Sequence, residues 1–165
     1  MLTPKLRYEG ICKATDEHGQ TYGGTQWGAD ITHRALGPGL KFCSPDLIHL
    51  YSHPLLAVLL NPIHVNFSKL RLWEAKAEVV ADDNGLKLGA KEVTTLREIL
   101  VPEVTLEQRV TFGIYCALTG PQPASYVKWA EDWLKGKDRS KTAAAEAEAV
   151  AGWAAARRAA AEKPL

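Results

Sequence analysis

The chain contains 165 residues, which is enough for one domain, or for one domain with an appended helix, built around a single main core. Its 20 Lys and Arg residues nearly balance 19 Asp and Glu residues, so the formal net charge of +1 provides no general attraction to nucleic acid or to an anionic membrane. The longest apolar run, residues 55–60, is far shorter than the roughly 20 residues of a membrane-spanning helix. Since residues 1–10 also lack an apolar signal segment, we expect a cytoplasmic protein with neither nucleic acid nor membrane as a partner.

The three cysteines are Cys12, Cys43 and Cys116, and they are widely spaced without any Cys-x-x-Cys pair. This spacing argues against a disulfide framework and against a zinc knuckle, so we interpret them as buried free thiols. The sequence also lacks a Gly-x-Gly-x-x-Gly fingerprint, a Walker loop and a Gly-x-Ser-x-Gly elbow. Nucleotide hydrolysis and serine hydrolase chemistry therefore receive no support, and no cofactor is expected.

The first elements read as strands. Residues 6–15 predict an opening strand, which a polar turn at residues 16–19 joins to a second strand. Residues 21–27 contain Gly23 and Gly24 and predict an irregular or bulged strand anchored by Trp27.

Residues 39–60 form the stretch around which the other predicted elements are arranged. Residues 40–43 alternate between apolar and polar sides and predict a short strand. Ser44 is a good N-cap and Pro45 suits the first helical position, so we expect a helix from Ser44 onward. Pro54 should break or kink that helix, and a second short helix should follow and end at residues 61–62.

The clearest strand pattern begins at residue 70. Apolar residues alternate there with charged ones and predict a sheet with one buried face: Trp73, Ala75, Ala77 and Val79 against Glu74, Lys76 and Glu78. The turn cluster at residues 82–85 ends in Asn-Gly and predicts a hairpin with a return strand over residues 86–93. Residues 95–100 are expected to form a short helix that ends before Pro102.

The last part of the chain reads as helical. Thr105 and Gln108 fit a capping box, and the helix they begin keeps one apolar face through Cys116. A second helix is expected from residues 123–125 to Gly136. The Ala-rich residues 138–161 predict a further helix that docks through Val150 and Trp153 or pairs with another copy of the chain. The predicted class is therefore α+β, with a small, mainly antiparallel sheet and short helices in residues 1–101 and a helical region in residues 102–165 that packs on the same core or self-associates.

Two blocks of the chain resemble phage sequences. Residues 39–45, which read Gly-Leu-Lys-Phe-Cys-Ser-Pro, together with residues 73–78, 82–85 and 96–100, resemble an uncharacterised domain common in phage and prophage proteins. Residues 126–140 and the Ala-rich tail look like the ending of many hypothetical phage and bacterial proteins, and together the two blocks cover roughly two thirds of the chain. The resemblance implies a phage or prophage accessory protein in the host cytoplasm, without an assigned activity. Lys41 stands where the first family frequently has His, which weakens a catalytic role at that position.

The side chains capable of chemistry form no recognisable catalytic set. His49 and His53 stand four residues apart, a spacing that on a helix places both imidazoles on one face and suits a metal, with His64 as a conceivable third ligand. No His-Glu-x-x-His pattern is present, so we assign no metal and interpret the two as partly solvated histidines. Cys43 precedes a predicted helix start, where a thiol can be activated, or it is a small buried residue at a strand end. Glu74 and Glu78 share a strand face, either as a carboxylate pair or as its solvated side.

Two classes of function follow. The preferred one is a non-enzymatic binding protein that recognises a host or phage protein or a small ligand and self-associates through its C-terminal helices, using an interaction face of Trp129, Trp133 and Trp153. The alternative is a nucleotide-like ligand-binding protein or a degenerate enzyme that resembles ADP-ribosyltransferases, in which a Gly-aromatic segment before a short helix lines the nicotinamide pocket. A virion structural protein is a weaker alternative. The candidate ligand pocket consists of seven residues: Trp27, Lys41, Cys43, His49, Tyr51, His53 and Glu78.

Overall fold

The computed structural model describes residues 10–137 and 139–140, and it divides the chain into two compact units, one ending at Val104 and one beginning with Thr105. The first unit holds an antiparallel sheet and one helix, and the second holds two helices within the described residues. The predicted α+β class is therefore confirmed. Over the same residues, no helix combines the length and apolar character that a bilayer span requires.

In residues 10–104, the described part of the first unit, the structure has seven strands and one α-helix. They are β1 (Cys12–Thr15), β2 (Gln20–Thr21), β3 (Thr25–Gln26), β4 (Ile31–Arg34), β5 (Ile48–Leu50), α1 (Pro54–His64), β6 (Arg71–Asp82) and β7 (Leu88–Ile99). In the main sheet, β6 lies between β1 and β7, and the other edge of β7 pairs with β4 and, further along, with β5. The separate β2–β3 hairpin encloses a short turn, Tyr22–Gly24, where an irregular strand was expected.

The two edges of the main sheet meet at Cys12. This residue pairs with Glu74 of β6 and also exchanges both backbone hydrogen bonds with Tyr51, at 2.9 and 3.0 Å. Because Tyr51 directly follows β5, this bridge curls the sheet back on itself. One face of the curled sheet carries the main apolar cluster: Ile11, Trp27, Leu50, Ala75, Val79, Leu88, Ala90 and Val93.

The predicted hairpin of β6 and β7 is confirmed, with its turn at Asn84 and Gly85. Both residues have positive φ, 49° and 80°, and the carbonyl oxygen of Asp83 accepts a hydrogen bond from the Leu86 amide at 2.9 Å. The short helix predicted after residue 94 is wrong, because β7 continues to Ile99. β6 pairs with β7 as far as Ile99, and β4 pairs with the other edge of β7 as far as Thr95. This pairing outweighs the local signals that favoured a helix.

The helix predicted from Ser44 is also wrong. The Ser44 hydroxyl donates to the Lys41 carbonyl oxygen at 2.8 Å and accepts from the Asp46 amide at 3.1 Å, so it closes a local turn instead of capping a helix. The expected strand over residues 40–43 is part of the same loop. The apolar residues that follow form β5, because Ile48–Leu50 pair with residues 88–90 of β7.

Helix α1 begins where a break was expected. Pro54 occupies its first turn, and His53 caps it by accepting the Leu55 amide hydrogen on Nδ1 at 3.1 Å. Pro62 lies inside the helix, which continues to His64, so the predicted end at residues 61–62 is wrong. Its buried side is formed by Ala57, Val58 and Leu60.

The second unit contains helices α2 (Leu106–Leu118) and α3 (Ala124–Leu134). The predicted capping box is confirmed, since the Thr105 hydroxyl accepts the Gln108 amide and the Gln108 side chain accepts the Thr105 amide. The chain leaves α3 through Gly136, whose φ is 72°. Among the described residues of this unit, a buried apolar cluster contains Ile114, Tyr126, Ala130 and Trp133. The predicted Ala-rich helix, with Val150 and Trp153, lies outside the described residues.

Candidate functional site

The loop between β4 and β5, residues 35–47, contains two of the predicted pocket residues, Lys41 and Cys43. Its two ends are joined by backbone hydrogen bonds, because the amides of Leu36 and Gly37 both donate to the Pro45 carbonyl oxygen, at 3.0 and 2.9 Å. The Ala35 amide also donates to the Lys91 carbonyl oxygen on β7 at 2.8 Å. The loop is therefore closed at its base and fixed to the sheet.

Lys91 and Asp46 hold the interior of this loop. The Lys91 ammonium donates to the carbonyl oxygens of Gly37 at 3.1 Å and Asp46 at 2.8 Å, and also to that of Gly39. Although partial desolvation opposes the effect, hydrogen bonds from the amides of Lys41 and Gly39 hold the pKa of the Asp46 carboxyl below its ordinary value. A Cβ at Gly37 would lie 2.0 Å from Asp46 Oδ1, so the loop requires glycine at this position.

The tip of the loop rests on His49 of β5. The Phe42 ring stacks on the imidazole with centroids 5.6 Å apart, and the Cys43 amide donates to His49 Nε2 at 3.2 Å. Cys43 has a φ of 57°, a left-handed conformation that is uncommon for a residue other than glycine. Burial first, and then the charges of Lys87 and Lys13, lower the pKa of His49 to about 4. The imidazole is therefore neutral at pH 7, with Nε2 as an acceptor.

Lys87 brings a buried positive charge to the same place. Only 7% of the residue is exposed, and its Nζ lies 3.4 Å from Cys43 Sγ and 5.3 Å from the Phe42 ring centroid. Within the described part of the chain, no ion pair joins Lys87 to a carboxylate. Burial, followed by the Lys87 charge, also lowers the pKa of His64.

Tyr51 and His64 extend the cluster toward α1. The Tyr51 hydroxyl and His64 Nδ1 share a hydrogen bond of 3.1 Å, and the two rings stack with centroids 5.8 Å apart. Burial, followed by the neighbouring Cys12 thiol, raises the pKa of Tyr51 to about 12, so its hydroxyl stays protonated at neutral pH. Cys43, His49, Tyr51, His64 and Lys87 thus converge from four parts of the fold, and together we call them the loop-tip cluster.

A second buried lysine reaches His49 from the core side of the sheet. Lys13 is 7% exposed, its Nζ donates to the His49 carbonyl oxygen at 2.9 Å, and it lies 5.1 Å from the Trp27 ring centroid. Burial lowers the pKa of Lys13 to about 8. Two buried lysines, Lys13 and Lys87, therefore lie near His49 of β5.

The structure brings together three of the seven predicted pocket residues, Cys43, His49 and Tyr51. Trp27 is 2% exposed, belongs to the core and approaches His49 only through Lys13. The other three predicted residues do not join the cluster: Lys41 and Glu78 are exposed, and His53 caps α1. The expected shared helix face of His49 and His53 is wrong, since His49 lies on a strand.

Sequence reasoning missed Lys13 and Lys87. A signal existed at Lys13, because it alternates with Ile11 and Thr15, which are both buried on the same side of β1. Lys87 lies between two leucines just before β7. No sequence pattern at this position distinguishes a buried lysine from a solvated one.

The loop-tip cluster does not form a thiol–imidazole catalytic pair. The basic nitrogen of His49 is occupied by the Cys43 amide, and its low pKa makes it a weak base at pH 7. His49 is therefore not placed to activate the Cys43 thiol. The described residues also bring no three potential metal-ligating side chains together.

The predicted interaction face lies in the second unit. Trp133 is 5% exposed and belongs to the core of that unit, and Trp129 packs beside it with ring centroids 5.6 Å apart. Among the described residues, neither indole Nε1 has a hydrogen-bond partner. Trp153 lies outside the described residues.

No protein-family model matches the chain, and neither a curated protein nor a solved structure matches it.

Proposed function

We propose that this chain is a non-enzymatic binding protein that holds a small-molecule ligand at the loop-tip cluster. The observation that carries the proposal is the backbone of Cys43. A non-glycine residue at a φ of 57° is strained, and such strain persists where surrounding contacts enforce it, commonly at ligand clamps. Here the contacts are the His49 acceptor and the Lys87 ammonium, held under a loop that Lys91 fixes to the sheet.

The contacts of His49 support the non-enzymatic part of the proposal. A thiol nucleophile needs a base that can take its proton, and the imidazole beside Cys43 already accepts a backbone hydrogen bond. The resemblance to a phage domain without an assigned activity supports an accessory role in the host cytoplasm.

A thermal-shift screen tests the proposal, because a ligand that binds only the folded protein raises its Tm. The panel contains nicotinamide, nicotinate, cyclic nucleotides and inorganic phosphate. We expect at least one compound to raise the Tm of the wild type, and Tyr51→Phe, which loses the hydroxyl bonded to His64, to weaken that response. Tyr22→Phe is the matched control, because Tyr22 is fully exposed on the distant β2–β3 turn. A panel without any shift, or equal shifts in both variants, would refute a ligand site at the cluster.

A host or phage protein is the second candidate ligand. The observation that favours it is the outer side of α1, where Leu55 is exposed and Ile63 is 74% exposed in a helix without acidic or basic residues other than His64. Pull-down from host lysate with the wild type and with Ile63→Glu tests it. A partner retained equally by both proteins would not bind this surface.

A further inference from the structure

We propose that the ligand of the loop-tip cluster is a small anion, with a carboxylate or phosphate group that neutralises the Lys87 ammonium. The inference rests on the proposed function and adds the chemical class of the ligand. It depends on what surrounds Lys87 and on what is missing from its surroundings.

Lys87 is a buried residue, and among the described residues no carboxylate pairs with it. A buried lysine side chain is ordinarily paired with a carboxylate or with several good acceptors. The contacts of Lys87 Nζ are the Cys43 sulfur, which is a weak acceptor, and the face of the Phe42 ring. Lys91 provides the contrast, because its ammonium is held by three carbonyl oxygens.

The charge around His49 is positive, because Lys13 donates to its carbonyl oxygen and Lys87 lies beside the Cys43 residue that contacts its ring. After burial, the charges of these two lysines lower the pKa of His49. The nearby Asp46 carboxylate accepts amide hydrogens inside the loop. The Asp83 charge opposes the lowering of the His64 pKa by burial and by Lys87. In the part of the chain that the structure describes, neither carboxylate forms an ion pair with Lys87.

Lys87 touches a residue that solvent reaches, because Cys43 is exposed and its sulfur lies 3.4 Å from Lys87 Nζ. An anion bound to Lys87 would therefore lie close to this thiol. The hydroxyl of Tyr51 and the neutral imidazole of His64 lie in the same cluster and offer polar groups that orient an anion without adding charge.

Calorimetric titration with nicotinate and nicotinamide tests the role of the ligand's charge. The two compounds share a pyridine ring, but nicotinate carries a carboxylate and nicotinamide a neutral amide. Inorganic phosphate at constant ionic strength forms a third arm that separates carboxylate from phosphate recognition. We expect nicotinate, phosphate or both to bind at least about tenfold more tightly than nicotinamide. Lys87→Met should abolish this preference, and Lys76→Met, an exposed lysine on β6, should retain it.

The outcomes separate the two proposals. Equal binding of nicotinate and nicotinamide, with no binding of phosphate, would overturn the anion inference and leave the ligand site standing. No binding of any compound would overturn both. An anion preference that survives Lys87→Met would also overturn the inference, because another cation would then hold the anion.

A measurement on the wild type alone covers the case in which Lys87→Met does not fold. Alkylation of the exposed Cys43 and Cys116 is followed by mass spectrometry with and without the bound anion, and Cys116 in the other unit is the internal reference. Binding should slow alkylation of Cys43 several-fold and leave Cys116 unchanged. Unchanged rates at both thiols in the presence of a binding anion would place the anion elsewhere and overturn the assignment to Lys87.

Discussion

Lys13 makes the stability of the first unit depend on pH in a way that can be calculated. Burial lowers the pKa of its ammonium to about 8, from an ordinary value of 10.5. Between these values the unfolded chain binds more protons than the folded protein, so this contribution to the free energy of unfolding rises with pH and is lost again as pH falls. A difference of about 2.5 units between the two pKa values corresponds to a total change on the order of 3 kcal/mol in the free energy of unfolding. Roughly 2–3 kcal/mol of this gain occurs between pH 7 and pH 10.

The assay is urea unfolding of the wild type and of Lys13→Met, followed by circular dichroism at several pH values from 7 to 10. Met retains an unbranched chain of similar length but cannot titrate. Burial also raises the pKa values of Cys12 and Tyr51 to about 12, which weakens the fold as pH rises above their ordinary values. Both groups are present in both proteins, so the difference between the two proteins isolates Lys13.

We expect the wild type to gain roughly 2–3 kcal/mol relative to Lys13→Met between pH 7 and pH 10. The control is Lys76→Met, which replaces an exposed lysine on the same sheet and should change the free energy of unfolding by less than about 0.5 kcal/mol at each pH. A constant difference between the wild type and Lys13→Met across this range would show that burial does not destabilise the ammonium, and the electrostatic account of β5 would fail.

Three further substitutions test the loop, the sheet and the second unit. Lys91→Met removes the donor to three loop carbonyl oxygens. We expect the free energy of unfolding in urea to fall by about 2 kcal/mol or more and proteolysis within residues 35–47 to become faster. An unchanged cleavage rate would contradict this role of Lys91. Gly89→Ala places a Cβ 2.7 Å from Leu47 Cδ1 and should lower the calorimetric Tm, whereas an equal Tm would mean that the leucine shifts without cost. Thr105→Ala removes the acceptor of the Gln108 amide and should lower the stability of α2 by about 1 kcal/mol, as measured by amide hydrogen exchange. Unaltered protection of the α2 amides would contradict this expectation.

Local signals predicted the elements whose geometry is decided by neighbours in the chain. The alternation from Trp73 to Val79 predicted β6, and the Asn84-Gly85 pair predicted the hairpin, because both depend on backbone preferences and on a side-chain period of two. Thr105 and Gln108 predicted the start of α2 for the same reason, since both partners of a capping box lie within one turn.

Local signals failed where pairing with β7, which lies far away in the sequence, determined the secondary structure. Ser44 and Pro45 carry the pattern of a helix start, but residues 88–90 of β7 provide the hydrogen bonds that make Ile48–Leu50 a strand. The same applies to Thr95, which pairs with Ile31 across 64 positions of sequence. Pairing of this kind depends on contacts that no window of neighbouring residues contains.

The candidate site was identified in part for the same reason. The sequence by itself determined the α+β class, the β6–β7 hairpin and the cap of α2, and it predicted a pocket that includes Cys43, His49 and Tyr51. Only the tertiary structure decided that the segment containing these three residues is a loop and a strand, and that the buried residues Lys13 and Lys87 contact it. Whether a lysine is buried depends on all the segments that pack around it. Here those segments are β1, the start of β7 and the loop that Lys91 holds in place, and they are far apart in the sequence.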